Sequence, residues 1–392
     1  MFRLAAGSQS KILDEKECEI REMVDVEVTR RFLPNFSGYI YIEPQGASRR
    51  PKGQTECERR ISMRRHGARL VSLFFFVGAL LIASCAKPYH QENERYVFVT
   101  TNIGLPYWQK AEAGFLDSAK ALGVKGELVG PTGYAPNAEL GMFRRIVEEH
   151  PAGICLSAGR PEIFKDEIDK AVAQGIPVIC VDADVPESKR VLYIGTDNFK
   201  AGKDSLKQMA GLAAHGSILI ISIPGQRNLD DRVAGVADAL KNFPAIKLTK
   251  ILDDKGDARG AFDQVSDLIQ KKEKIDGIIC LEATGGAGAA GALHRFNMEG
   301  KLPIVAFDDD PETLDWIDRG AITATITQKP YVMSYYGLKF LDDLHHNAVH
   351  QFKDWRTALA PPMPTFVDTG TVVVNKNNLK LYREALTENP PY

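Results

Sequence analysis

The chain has 392 residues, with 49 Lys and Arg against 51 Asp and Glu and a formal net charge of −2. No basic patch dominates the part after Cys85, which argues against a nucleic-acid partner. The six cysteines show no CxxC or CxxH spacing, so no zinc motif is expected.

Residues 1–62 show no sustained period of two or 3.6 and are rich in charge. The expected start of the protein is Met63. The preceding 62 residues are then a gene-boundary error, the alternative being a genuine disordered extension. Met63 to Cys85 has the order of an export signal. A basic cluster (Arg64, Arg65, His66, Arg69) precedes an apolar run from Leu70 to Ala83, and Ala83 and Ser84 sit just before Cys85. The run is shorter than the roughly 20 residues of a membrane-spanning helix. Ile82-Ala83-Ser84-Cys85 resembles a bacterial lipobox, which implies lipid attachment to Cys85 and cleavage just before it. The competing reading is an ordinary buried helix. After the signal, a polar linker is expected over 86–95.

From Tyr96 on, strands and helices alternate. Strands are predicted at Tyr96–Thr101, Leu128–Val129, Gly153–Leu156, Pro177–Val181 and Val191–Ile194. Helices are predicted at Tyr107–Leu122, Ala138–His150 and Ile163–Gln174, with another from near Phe199. The cycle then restarts. Strands are expected at Ser217–Ile223, Ile246–Leu252, Gly277–Leu281, Pro303–Phe307 and Ile322–Thr327, separated by helices at Leu229–Phe243, Ala258–Lys272, Ala287–Met298 and Pro311–Arg319. Continuous apolar strands between amphipathic helices indicate parallel sheets covered on both faces. Two such cycles give the fold class α/β, with two doubly wound parallel-sheet lobes. Cys155, Cys180 and Cys280 fall inside the apolar strands and read as buried thiols. A Cys155–Cys180 bridge stays open if their strands are neighbours.

An internal echo links the lobes. Gly175 to Asp184 (GIPVICVDAD) matches Lys301 to Asp310 (KLPIVAFDDD), each a buried strand ending in Asp-x-Asp. Open α/β sheets bind ligands beyond the carboxyl ends of their strands. Two lobes facing each other there form a cleft with Asp182 on one wall and Asp308 on the other. Tyr107 and Trp108, just after the first strand, can cover the apolar face of a small ligand. Arg232 is expected at the start of its helix, where a cation is unfavourable without an acidic partner or ligand. Gln328 ends a strand at an expected lobe crossover. Asp308 to Asp310 lacks the regular ligand spacing of calcium or magnesium sites, and no metal is expected.

Gly286, Gly288 and Gly291 fit GxGxxG between a strand and a helix, with Asp308 about 20 residues on. The motif sits in the middle of the second lobe of an exported chain, and no His or Lys stands out as a hydride-transfer acid. Small residues also serve close helix–strand packing. No Gly-Lys-Ser/Thr, GxSxG or HExxH is present, so no catalytic residue is assigned and no cofactor is expected.

In combination, Pro106-Tyr107-Trp108, IPVICVDAD, YIGTDNFKAGK, the Arg232 helix, IVAFDDDPETLDWIDRG and ITATITQKPY resemble the type 1 periplasmic binding proteins of ribose-binding type. These are the capture subunits of sugar ABC transporters. The similarity runs from about Tyr96 to the C-terminus. It implies that Tyr107 and Trp108 sandwich a sugar ring, and that Asp182, Arg232, Asp308 and Gln328 bind its hydroxyls. A polar residue after strand Gly277–Leu281 falls within Glu282 to Gly285, with Thr284 the assigned ligand-binding position. The ribose type has Arg where Ala183 stands and Asn where Leu105 stands, so the resemblance implies a monosaccharide-like ligand without specifying ribose. It also implies an N-terminal lobe of 96–197 plus 329–363 and a C-terminal lobe of 198–328 plus 364–392. Hinges are expected near Asp197–Asn198, Thr327–Lys329 and Pro364–Asp368.

The expected protein is therefore a lipid-anchored, extracytoplasmic solute-binding protein without catalytic activity. Its expected partners are a small-molecule sugar, an ABC transporter permease and a membrane reached through the lipid at Cys85, and it is expected to be a monomer. A sugar or autoinducer sensor of the same fold is the alternative. An exported NAD-dependent oxidoreductase ranks lower, as does a repressor core, for which no helix-turn-helix precedes Tyr96.

Overall fold

The structure, a computed structural model, describes residues 89–346 and 363–388. The leader (1–62), the signal and lipobox (63–85) and residues 86–88 of the expected linker lie outside the described residues; the remainder of that linker belongs to the fold, since Glu94 is buried and the first strand already begins at Arg95.

The first sheet contains β1 (Arg95–Val99), β2 (Lys125–Val129), β3 (Gly153–Leu156), β4 (Val178–Val181), β5 (Tyr193–Gly195) and β11 (Phe366–Asp368), in the order β11-β5-β4-β3-β1-β2. The second contains β6 (Gly216–Ser222), β7 (Ile246–Asp253), β8 (Gly277–Cys280), β9 (Ile304–Phe307), β10 (Ala324–Thr327) and β12 (Val372–Asn375), in the order β12-β10-β9-β8-β6-β7. Both follow one doubly wound pattern. All pairs are parallel except β10 with β12.

Helices α1 (Pro106–Leu122), α2 (Pro136–Glu148), α3 (Pro161–Ala173) and α9 (Pro330–His345) cover the first sheet. Helices α4 (Asn198–Leu212), α5 (Arg227–Leu240), α6 (Ala258–Gln270), α7 (Gly285–Arg295), α8 (Pro311–Arg319) and α10 (Leu379–Glu388) cover the second. Five of these helices open on proline, whose fixed φ suits the first turn and whose missing N–H is not needed there.

The pleat divides each lobe's core into two layers. On β1, Tyr96 and Phe98 pack toward α1 and α9, while Val97 and Val99 pack toward α2 and α3. The same alternation separates the cysteines. Cys180 pairs in register with Leu156, and Cys155 with Ile179, so the two thiols point to opposite faces and remain free. The glycines of the GxGxxG stretch serve packing. A Cβ on Gly286 would lie 2.7 Å from Ala306 Cβ, and one on Gly288 2.3 Å from the Ala258 carbonyl oxygen.

The chain crosses between lobes after β5, after β10 and after β11. The expected division assigned 364–392 wholly to the second lobe. Phe366–Asp368 instead pairs with Tyr193–Gly195 in the first sheet, which moves the third crossing to Thr369–Thr371. A three-residue edge strand whose residues are exposed or half-buried leaves no buried apolar run to read.

Candidate functional site

The carboxyl ends of both sheets face one cleft. Tyr107, Trp108, Asp182, Arg232, Asp308 and Gln328 all line it, together with Thr101, Asn102, Tyr134, Gln226, Asn228 and Glu282. Its free volume is about 60 Å³, well below the roughly 300 Å³ at which ordinary ligand pockets begin. A ligand of ordinary size therefore enters only as the lobes part or side chains rearrange.

On the first wall, Asp182 follows β4 and is buried. Its Oδ1 accepts from the Tyr107 hydroxyl at 2.6 Å, and its Oδ2 accepts from Asn228 Nδ2 at 3.1 Å. The second bond spans the cleft, because Asn228 belongs to α5. Burial raises the Asp182 carboxyl, and the nearby Arg232 charge opposes the shift. Tyr107 and Trp108 meet edge to face at 5.0 Å, and Trp108 packs in turn on Phe98.

On the second wall, Arg232 is 1% exposed. It lies in the second turn of α5 rather than at the start, since the helix begins at Arg227. The helix-terminus argument therefore does not apply to it. Its charge is held by other means. Nε donates to Asn198 Oδ1 at 2.9 Å, Nη1 to the Leu281 carbonyl at 2.6 Å and Nη2 to Gln328 Oε1 at 2.7 Å. The guanidinium also lies 4.3 Å from the centre of the Phe307 ring. Gln328 Nε2 donates onward to Asp308 Oδ1 at 2.9 Å. Arg232 can only donate, so the Gln328 amide is fixed in this orientation. Burial pushes Asp308 up to about 8, against the pull of Arg232 and Gln328.

Thr284 does not line the cleft. Its N–H and hydroxyl both donate to Glu282 Oε2 at 2.7 Å, and Glu282 is the residue that reaches the cleft. Behind it stands Asp254, buried and pushed up to about 10, first by burial and then by the Glu282 charge. Asn228 and Glu282 were not singled out from the sequence. Asn228 had a readable signal, since it precedes Arg232 by four residues and so shares its helix face.

A two-lobed α/β fold with an acidic, aromatic-lined cleft at the hinge defines a ligand-capture protein. The model of the periplasmic binding protein domain matches residues 96–347, and the chain belongs to that family. The D-allose-binding periplasmic protein of Escherichia coli (strain K12) is 26% identical over 259 residues, covering 63% of this chain and 83% of that protein. The sugar-binding protein of a sugar ABC transporter from Bacillus halodurans is 34% identical, with a TM-score of 0.66, covering 74% of this chain and all of that structure. AraP, an arabinose-binding protein from Geobacillus stearothermophilus, is 32% identical with a TM-score of 0.62, over 74% of this chain and 99% of that one. These relatives are binding proteins rather than enzymes, and the family works outside the cytoplasm.

Proposed function

We propose that this chain captures a monosaccharide in the interlobe cleft and delivers it to an ABC transporter permease, without catalysis, as a monomer anchored through a lipid on Cys85. The observation that carries the ligand class is the pairing of Asp182 and Asp308 across a cleft lined by Tyr107 and Trp108. A sugar presents hydroxyls around its rim and apolar C–H faces. Asp182, Asp308, Arg232, Asn228 and Gln328 match the first, and the aromatic rings match the second. A buried hydroxyl left unpaired is costly, so such a site selects by hydroxyl pattern.

Ligand contacts to both lobes favour the closed state differentially, which is the condition for closure on binding. Hinged closure of two domains around a ligand is the motion by which periplasmic binding proteins work. The anchor is supported by the Ile82-Ala83-Ser84-Cys85 order and by the family's extracytoplasmic setting.

The test is calorimetry and thermal shift against D-allose, ribose, xylose, both arabinose enantiomers, hexoses and polyols. The expected result is one sugar bound per chain with a raised melting temperature. If no monosaccharide binds, the reading is wrong. Intact-mass analysis of the membrane fraction tests the anchor. A mature chain beginning at acylated Cys85 supports it, and an unmodified Cys85 removes it. Light scattering on the purified protein reports the oligomeric state.

A further inference from the structure

Four side chains with no part in the cleft converge at the amino-terminal edge of the first sheet, the end away from the hinge. His90 and Glu94 lie in the turn that leads into β1. Asp342 and His346 lie one helical turn apart at the end of α9. His90 Nε2 is 3.1 Å from Asp342 Oδ1, and His346 Nε2 is 2.9 Å from Glu94 Oε1 and 3.5 Å from Asp342 Oδ1. One donor atom from each of the four lies within 4.8 Å of all the others. A tetrahedral ion with donors at about 2.0–2.2 Å spaces them by about 3.3–3.6 Å; the three histidine–carboxylate separations of 2.9, 3.1 and 3.5 Å lie near this range, and the whole set, within 4.8 Å, contracts only modestly to reach it.

The electrostatics favour a cation. Glu94 and Asp342 are 5% and 4% exposed, and among the described residues neither pairs with a Lys or Arg. Two buried carboxylates need compensating positive charge. A divalent ion held by them and by two neutral imidazoles makes the site neutral overall. An outer shell already holds the carboxylates. The Tyr96 hydroxyl is 3.0 Å from both Glu94 Oε1 and Asp342 Oδ1, and the Gln91 N–H donates to Glu94 Oε2 at 3.1 Å. The Tyr89 ring stacks on His346 at 4.2 Å. Fixed outer partners of this kind orient metal ligands.

We propose that His90, Glu94, Asp342 and His346 form a divalent transition-metal site, best suited to zinc. Two imidazoles with two carboxylates make a nitrogen–oxygen donor set that suits zinc, whereas calcium and magnesium take oxygen ligands. The ion joins the segment entering β1 to the end of α9, residues 252 apart in sequence. His90 follows Cys85 by five residues, so the ion fixes where the chain leaves the fold.

The test titrates the full-length protein, stripped with a chelator, with zinc chloride by calorimetry and thermal shift. One zinc per chain and a melting temperature that rises with zinc and falls back with chelator are expected. Cobalt substitution should give the visible absorption of a four-coordinate nitrogen–oxygen site. His90→Ala and His346→Ala should each weaken zinc binding by at least about 10- to 100-fold, the loss typical of removing even an outer-shell partner. His90 is half-buried, so its variant carries the test if His346→Ala does not fold. Absence of stoichiometric zinc binding, or undiminished binding in folded His90→Ala, overturns the proposal.

Discussion

Asp182 and Asp308 occupy the same left-handed backbone conformation at the same place in their two lobes. Their φ angles are 67° and 66°. Each follows the fourth strand of its sheet, and each donates its N–H to the carbonyl of the next strand, Ile194 at 3.0 Å and Ile326 at 2.9 Å. Aspartate tolerates this region better than most residues. Its use here turns both carboxylates out of the sheets and into the cleft, so one residue type serves both backbone and ligand.

That double role separates two kinds of variant. Asparagine keeps the tolerance for positive φ and removes the ionisable carboxyl. Alanine also loses the tolerance, which costs about 1–2 kcal/mol per residue. Asp182→Asn and Asp308→Asn should therefore keep their melting temperature within a few degrees while losing about 10- to 100-fold in sugar affinity, the worth of a hydrogen bond to a charged group. The alanine variants should lose affinity and melt lower as well. Calorimetry with melting curves checks this, and asparagine variants that bind as wild type would remove both carboxylates from the site.

The raised carboxyl of Asp308 sets a pH dependence. Its folded value of about 8 stands above an unfolded value of about 3.9. Between the two, the native state holds a proton that the unfolded chain has lost, so stability falls as pH rises. The contribution is favourable at low pH and is gone once pH passes about 8. Asp182 is shifted in the same direction. The ligand-free protein should melt at lower temperature at pH 8.5 than at pH 5.5, with a slope of at most about 1.4 kcal/mol per pH unit for one proton. Asp308→Asn should reduce that slope by up to one proton's worth, leaving the part due to Asp182 and Asp254, and an unchanged slope would mean that Asp308 is ionised throughout.

The central strands β3, β4, β8, β9 and β10 were legible because their residues are buried on two faces and read as continuous apolar runs, whereas β12, exposed or half-buried at three of its four residues, was not anticipated. The twin aspartates were legible because each ends such a run. β11 was not, since Phe366 and Asp368 are exposed and only pairing with β5 defines the strand. Glu282 and Thr284 lie in one short turn, and only the backbone path decides which of them reaches the cleft. His90 and Glu94 are four residues apart, as are Asp342 and His346. Nothing local in the sequence joins the two pairs.

Asn228 is a direct hydrogen-bonded link between the walls of the cleft. Removing its amide breaks the bond to Asp182 Oδ2 without touching the Arg232 network. One such bond is worth about 0.5–1.5 kcal/mol, or more to a charged acceptor. Asn228→Ala should shift the ligand-free protein toward the open state, seen as a larger radius of gyration in solution scattering. It should also weaken sugar binding by about 3- to 30-fold. Lys110 and Asp309 also bridge the lobes at the cleft rim, with Nζ 2.5 Å from Oδ1, so the shift toward the open state is partial. A variant with wild-type dimensions and affinity would show that Asn228 does not govern closure.

The position of Arg232 depends on two glycines that let α4 and α5 touch. A Cβ on Gly202 would lie 2.0 Å from the Arg232 carbonyl oxygen, and one on Gly235 would lie 2.0 Å from the Phe199 carbonyl oxygen. Both obstacles are backbone, so neither can swing aside. Gly202→Ala must push α5 away from α4 while the Arg232 guanidinium stays bonded to Asn198, Leu281 and Gln328. Overpacking costs typically about 1–3 kcal/mol, and the helix-propensity gain of about 1 kcal/mol offsets only part of it. Gly202→Ala should lower the melting temperature and weaken sugar binding together. Gly141→Ala is the control. Gly141 is exposed on α2 with nothing within 4 Å of its would-be Cβ, so that variant should be neutral or up to about 1 kcal/mol more stable. If Gly202→Ala keeps full sugar affinity, the α4–α5 contact supports the fold without positioning Arg232.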